Sequence, residues 1–431
     1  MTSALLHPFS PPAMPEGDFI EIVRGEGSLV FDSDGREYVD AMANLWLCQV
    51  GHGRTEIIDA VTAQMRQIEA YNTFAPFTNG PASRVAEMIA ERSPHPDGRV
   101  FLGCSGSEAV DTAMKIAYAY HYARGEGQRQ RFVSRERAYH GVNLAGVSLS
   151  GMIKNRQSFG PGVPGVVHMR HTWLEKNRFA KGQPEHGAEL AEDLQRAVET
   201  YGGSTIAACF IEPIAGSTGV LVPPKGYLER LREICDTHGI LLVFDEVICG
   251  FGRTGKAFAA QSFGVTPDII TMAKALTNGA LPMGAVAVDD EIYDTVVNAA
   301  PENAVELFHG YTFSGHPTAC AAGLAALEIY EKENLFERAA ELSPYFLDQV
   351  YSLQDLNAVT DIRGYGLIAG FDVATGDAPG QRGTQLQKDL FWSGLHVKFT
   401  GDTGIIAPPF VAEKEHIDQI VGILREKLAE L

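Results

Sequence analysis

Basic residues are in deficit in this 431-residue chain: 35 lysines and arginines face 54 aspartates and glutamates, for a formal net charge of −19. Such a balance excludes nucleic acid as a partner, because displacing phosphate counterions needs a basic surface, and solubility accounts for the charge. Long uninterrupted apolar stretches are missing as well, so nothing here is expected to span a bilayer. Cysteine is scarce, and Cys48, Cys104, Cys209, Cys235, Cys249 and Cys320 are scattered without metal-ligand spacing. They read as reduced packing residues, and no metal is expected. Met1-Thr2-Ser3-Ala4-Leu5-Leu6-His7-Pro8 has neither a basic start nor an apolar core of signal-peptide length, which makes cytoplasmic residence the expectation. Internal repeats and low-complexity linkers are also absent.

What the chain does have is a large apolar complement, 45% of its residues, together with 45 glycines. Its length exceeds the roughly 250 residues at which single cores stop growing, which favours two domains. Gly27 to Asp40 reads as an early hairpin around Asp34-Gly35. From about residue 55 helical patterns alternate with short apolar strands such as Arg99-Val100-Phe101-Leu102 and Thr205 to Ile211, the mark of βαβ units on a parallel sheet. A helical stretch begins near Thr318, and the chain finishes on an amphipathic helix through Ile417, Ile420, Val421, Ile423 and Leu424.

The chemistry concentrates in Asp245-Glu246-Val247-Ile248-Cys249-Gly250-Phe251 and in Lys274, 29 residues after the acid. Gly239-Ile240-Leu241-Leu242-Val243-Phe244 reads as a buried parallel strand that delivers Asp245 at its carboxyl end, and Pro267 to Met272 delivers Lys274 in the same way. Ligands of open α/β sheets bind at that edge. An acid and an amine together there suit pyridoxal phosphate: the carboxylate keeps the ring nitrogen protonated, and the lysine holds the cofactor aldehyde and moves a substrate proton. Taken singly, either residue could equally be half of a structural ion pair between neighbouring strands.

Asp-Glu-Val-Ile-Cys-Gly-Phe-Gly-Arg-Thr-Gly with the downstream Ala273-Lys274 resembles the signature of class III pyridoxal-phosphate aminotransferases. The likeness runs through most of the chain, in Met42-Ala43-Asn44-Leu45-Trp46, Tyr71-Asn72-Thr73-Phe74, Ser105-Gly106-Ser107-Glu108-Ala109, Tyr139-His140-Gly141, Glu212-Pro213-Ile214, Pro282-Met283-Gly284-Ala285-Val286 and His309 to Pro317. The resemblance implies an α/β protein of fold type I: a large domain with a mostly parallel seven-stranded sheet flanked by helices, plus a smaller α+β domain. Residues 1–54 and 321–431 would then form the small domain and 55–320 the large, cofactor-binding one.

The resemblance also implies roles. Lys274 and Asp245 are the catalytic pair. Gly106 and Ser107 bind the cofactor phosphate at a helix start, where backbone amides and the helix dipole favour an anion; alone, Ser-Gly-Ser-Glu would read simply as a helix cap. Tyr139 stacks on one face of the ring and Val247 packs on the other, although a core aromatic and a core valine are the ordinary fate of both types. Glu212 lies near the cofactor, or supports it from behind. Thr312 reaches the phosphate from the neighbouring subunit, implying a homodimer with shared active sites, with a tetramer as the larger assembly.

Substrate choice is implied by two departures. Ile405 stands where many relatives that use α-amino acids carry an arginine, and isoleucine cannot make that bidentate pair. The amine-pyruvate, or ω-transaminase, branch is more similar, with Trp46, Phe74 and Tyr139 walling an apolar pocket and Ser217 limiting the bulk of the amine. Where that branch commonly has a mobile arginine for the acceptor carboxylate, this chain has Lys398, a charge without a planar fork, or else a solvated surface lysine. Ala215 replaces a glutamine found in many relatives. The expected reaction is a ping-pong transfer from an amine donor to a small keto acid such as pyruvate. A dialkylglycine decarboxylase or an aminomutase on the same scaffold is the alternative; a regulatory protein that has lost its chemistry is disfavoured because Lys274, Asp245 and the phosphate loop are all present.

Overall fold

Seven strands run in the spatial order Arg99–Gly103, Gly284–Val288, Ile269–Met272, Leu241–Asp245, Ile206–Ile211, Arg131–Arg135, Val166–Met169 in the computed structural model, which describes residues 4–10, 19–302 and 304–431. Gly284–Val288 is antiparallel to both of its neighbours, and the remaining pairs are parallel. Central strands are apolar without interruption because both faces are covered. In Leu241–Asp245, Leu241 and Val243 join the cluster under helix Gly106–Ala123, whereas Leu242 and Phe244 join the larger core on the other face, as the two-residue period of a strand requires. Phe244 has no exposed surface, and truncating such a residue to alanine costs about 3–5 kcal/mol.

The ends of the chain meet. Strands Ile22–Glu26, Leu29–Asp32 and Glu37–Asp40 form a sheet completed by Leu395–His396, which pairs in parallel with Glu37–Asp40. The expected hairpin is the pair Leu29–Asp32 and Glu37–Asp40, turned at Gly35 with φ of 81° and tied by Asp34 N and Arg36 N donating to Asp32 Oδ1. A second sheet orders Val359–Tyr365, Ile368–Val373, Thr403–Ile406 and Lys398–Thr400, all antiparallel. The closing helix, Lys414–Ala429, buries Ile417, Ile420, Val421 and Leu424.

One local reading shifts. Gly239 does not open the strand; with φ of 63° it ends helix Tyr227–His238, and the strand starts at Leu241. Residue 320 lies inside a continuous helix, Pro317–Lys332, which packs on helices Thr55–Gln67 and Gly80–Arg92. Of the amino-terminal stretch read for targeting, Met1–Ser3 lie outside the described residues, as do 11–18 of the first domain segment. No helix among the described residues is long and apolar enough to cross a membrane.

Candidate active site

The parallel register of Leu241–Asp245 with Ile269–Met272 sets Asp245 opposite Thr271, so the strand that follows carries Lys274 to the same edge of the sheet. Both residues line one cavity. Asp245 is 5% exposed, and its Oδ2 accepts a hydrogen bond from His140 Nδ1 at 2.7 Å while Oδ1 accepts from Val247 N at 3.2 Å. A carboxylate held this way stays an acceptor and fixes the tautomer of the imidazole.

Lys274 starts a short helical turn, Lys274–Thr277, with φ of 48°. Burial pushes its ammonium down to about 8; the Asp245 charge opposes that shift and the charge of Lys398 reinforces it. An amine in that state is neutral often enough near neutral pH to act as nucleophile and base.

Opposite the pair, helix Gly106–Ala123 begins with Ser105 as its cap, Ser105 Oγ accepting from Glu108 N at 3.1 Å. That bond satisfies the third amide of the helix and leaves those of Gly106 and Ser107 at the mouth of the cavity they line. Ser107 Oγ accepts from Val142 N at 3.0 Å, which leaves the hydroxyl proton to donate. A Cβ on Gly106 would lie 3.0 Å from Val247 Cγ2, so glycine keeps the cradle open. A carboxylate for a ring nitrogen, an amine for an aldehyde and a helix start for a phosphate fit pyridoxal 5'-phosphate.

Tyr139 and Val247 both line the cavity, as does Glu212. Glu212 accepts from Tyr139 N at 2.9 Å and from Gly216 N at 3.2 Å, tying the tyrosine to the loop that carries Ser217. Burial pushes its carboxyl up to about 6, against the opposing influence of His140. Arg135 Nη2 donates to the Glu212 carbonyl at 2.9 Å from the neighbouring strand.

On the substrate side, Trp46 is 1% exposed and sits in a contorted segment: Ala43, Asn44 and Trp46 have φ of 45°, 61° and 60°. Left-handed backbone at such residues costs about 1–3 kcal/mol each. Asp40 holds the segment, accepting from Met42 N at 3.1 Å and Asn44 N at 2.6 Å. The Nζ atoms of Lys398 and Lys274 lie 4.9 and 5.7 Å from the centroid of the Trp46 ring. Lys398 is therefore not a solvated surface lysine; burial lowers its pKa. Its strand, Lys398–Thr400, is tied to Ser217 by Thr400 Oγ1 donating to the Ser217 carbonyl at 2.8 Å. Ala215 is fully buried and bridges to Leu221 through paired backbone bonds of 3.1 and 3.0 Å.

Five of the expected residues lie outside the lining of the Lys274 cavity, namely Trp46, Ser217, Lys398, Phe74 and Thr312, and the last two stand farthest apart within the single chain. Phe74 is 51% exposed and packs at Gly310, beside the loop that carries Thr312, which is itself exposed. Thr73 Oγ1 donating to the Ser314 carbonyl and Asn79 Nδ2 to that of Gly315 fasten these segments together. Neither Phe74 nor Thr312 lines the cavity of Lys274. Conversely, His140 was visible in the sequence only as the neighbour of Tyr139, and Asp40, with His52 and His396 upon it, carried no signal at all.

The sequence model described as aminotransferase class-III matches residues 13–428. The chain is 49% identical over 403 residues to an omega-aminotransferase of Caulobacter vibrioides, covering 92% of this chain and 91% of that one. It is 45% identical over 417 residues to the omega-amino acid–pyruvate aminotransferase of Pseudomonas putida, covering 95% and 92%. Among solved structures, the omega transaminase from Pseudomonas jessenii in complex with PMP superposes with a TM-score of 0.92 at 33% identity, over 99% of this chain and 95% of that one.

Proposed function

The chain belongs to the class-III aminotransferases, enzymes that depend on pyridoxal 5'-phosphate and move an amino group from an amine to a keto acid, and from that premise we propose how its own residues divide the work. The acceptor is pyruvate and the donor an amine or ω-amino acid, a reading supported by the names of the relatives and by the apolar wall at Trp46. When bound, the cofactor supplies the electron sink for a carbanion at the substrate carbon. Asp245 would hold the proton on the ring nitrogen, and His140 keeps that carboxylate oriented. Lys274 would hold the cofactor aldehyde, and its amine would carry the proton to and from the substrate carbon. Gly106 and Ser107 would bind the phosphate, helped by Thr312 of the partner subunit in a homodimer. Tyr139 and Val247 would confine the ring, and Glu212 fixes Tyr139. Trp46, Ser217 and Phe74 shape the amine site, Phe74 across the subunit boundary, and Lys398 receives the acceptor carboxylate.

In domain terms, residues 55–320 form the large, cofactor-binding domain and 1–54 with 321–431 the small one, helix Pro317–Lys332 crossing the boundary between them. Cytoplasmic residence completes the reading.

The observation that carries the proposal is the convergence of Lys274 and Asp245, from adjacent parallel strands, on a cavity lined also by the Gly106 helix start. Its test is the visible spectrum of the reconstituted protein. An amine without acceptor should bleach the yellow colour of the enzyme-bound cofactor, and pyruvate should restore it. Bleaching that other keto acids reverse and pyruvate does not would sink the acceptor assignment.

A further inference from the structure

We infer that Asp40 is a positioning residue for the substrate side of the active site, one buried carboxylate fixing Trp46 on one flank and Lys398 on the other. The inference rests on the reading of Trp46 and Lys398 as substrate-facing groups.

Asp40 ends strand Glu37–Asp40 and has no exposed surface. Its two oxygens accept four hydrogen bonds. Met42 N and His396 Nδ1 donate to Oδ1 at 3.1 and 3.0 Å, and Asn44 N and His52 Nε2 donate to Oδ2 at 2.6 and 2.7 Å. A buried carboxylate is tolerated only when its lone pairs are answered in this way, and such charge-assisted bonds are the strong ones.

The two backbone donors belong to the contorted segment that presents Trp46. Ala43 and Trp46 lie in the left-handed region with no side-chain bond that would favour it. The amides of Met42 and Asn44, on either side of Ala43, both donate to Asp40, and these bonds set the turn. On the other flank, His396 closes strand Leu395–His396, and only Val397 separates it from Lys398. The third arm leads back to the catalytic lysine. His52 Nδ1 lies 3.3 Å from Cys48 Sγ, which also receives Asn278 Nδ2 at 3.4 Å, and Asn278 Oδ1 accepts from Val50 N at 2.9 Å. Asn278 caps the turn that begins with Lys274. A continuous polar strut thus joins the Lys274 turn, the Trp46 segment and the Lys398 strand, and both lysine amines end up over the same indole ring. Asp40 does not line the cavity, so its influence passes through these neighbours.

The test uses Asp40→Asn in the holoenzyme, because asparagine keeps the shape but replaces one acceptor by a donor. The KM values for amine and for pyruvate should each rise about tenfold while kcat falls less than about threefold, the signature of lost substrate placement rather than lost chemistry. Cofactor content should stay stoichiometric. An unchanged KM with a reduced kcat would overturn the inference. A second readout needs no turnover. With Trp173→Phe and Trp392→Phe, Trp46 is the sole tryptophan of the three, and adding Asp40→Asn should raise acrylamide quenching of its fluorescence toward that of an exposed indole. Quenching that stays at the level of the background variant would also overturn it. If Asp40→Asn does not fold, His396→Gln carries the test, raising the pyruvate KM more than the amine KM; an equal effect on both, or none, counts against the strut. Lys398→Ala, measured in parallel, separates the two levels: a parental pyruvate KM there removes the substrate-facing reading of Lys398, whereas the quenching result bears on Asp40 alone.

Discussion

Lys398 and Ile405 are direct cross-strand partners in the antiparallel pair Lys398–Thr400 and Thr403–Ile406. Directly opposed residues share a face of the sheet, with Cβ atoms about 5 Å apart. Ile405 therefore sits beside Lys398, and being fully buried and uncharged it leaves Lys398 as the one cation of that pair. Removing it should cost the acceptor its charge partner: Lys398→Ala is expected to raise the pyruvate KM by about tenfold or more, in line with the loss of a hydrogen bond to a charged group. Lys398→Arg, which restores a planar fork, should lower that KM below the parental value. Steady-state rates at saturating carboxylate-free amine check both, and a pyruvate KM indifferent to either change would refute the assignment.

His140 provides the second prediction. Its Nδ1 is the side-chain donor to Asp245 Oδ2, and both residues are buried. His140→Phe should leave the fold intact in volume but remove the side-chain donor to a buried carboxylate, leaving one of its oxygens unanswered. We expect kcat to drop about 10- to 100-fold, the range for a lost bond to a charged group, with a changed visible spectrum because the ring nitrogen is held less firmly protonated. Parental kcat in this variant would show that Asp245 needs no such support.

The pH dependence of cofactor capture follows from Lys274. Burial lowers its pKa to about 8, and the charge of Lys398 adds to that shift. Only the neutral amine attacks an aldehyde, so the rate at which apoprotein takes up pyridoxal 5'-phosphate should climb as pH rises through about 8 and level off above it. Lys398→Gln removes a repelling cation and should move the midpoint upward. The sign for stability runs the same way: the folded pKa lies below the unfolded value, so this group's contribution to stability is largest above the unfolded pKa and is lost as pH falls through about 8. Uptake rates with a midpoint above 10 would rule out a depressed lysine.

How much of this was legible in sequence depends on range. Asp245 and Lys274 announce themselves because each follows an apolar run, and a run buried on both faces must end where the sheet meets its ligand. The helix start was legible from Ser-Gly-Ser-Glu, although the helix begins at Gly106 and Ser105 does the capping. The antiparallel course of Gly284–Val288 was not, because an apolar run carries no sign of direction. Nor were the side-chain partnerships: His140 meets Asp245 across 105 positions and His396 meets Asp40 across 356. Such pairs leave no periodicity for a local pattern to detect. The pairing of Lys398 with Ile405 was hidden for another reason, since strands of three and four residues are too short to show alternation.

The last prediction concerns Thr312 and Phe74, which lie on an exposed face outside the cavity of their own chain. If the partner subunit's Thr312 completes each phosphate site, lesions at Lys274 and Thr312 fall in different sites of a mixed dimer. Lys274→Ala should abolish turnover, and Thr312→Ala should weaken cofactor retention enough to cripple it. Refolded together in equal amounts, half of the dimers are hybrids. In each hybrid one site carries both lesions and the other carries none, so about a quarter of the parental activity should return. If both residues served the same site within one chain, every site would keep a lesion and mixing would recover nothing. Sedimentation of the mixture, run alongside the assay, checks that the recovered activity travels with the dimer; activity in a cofactor-replete monomer would defeat the shared site altogether.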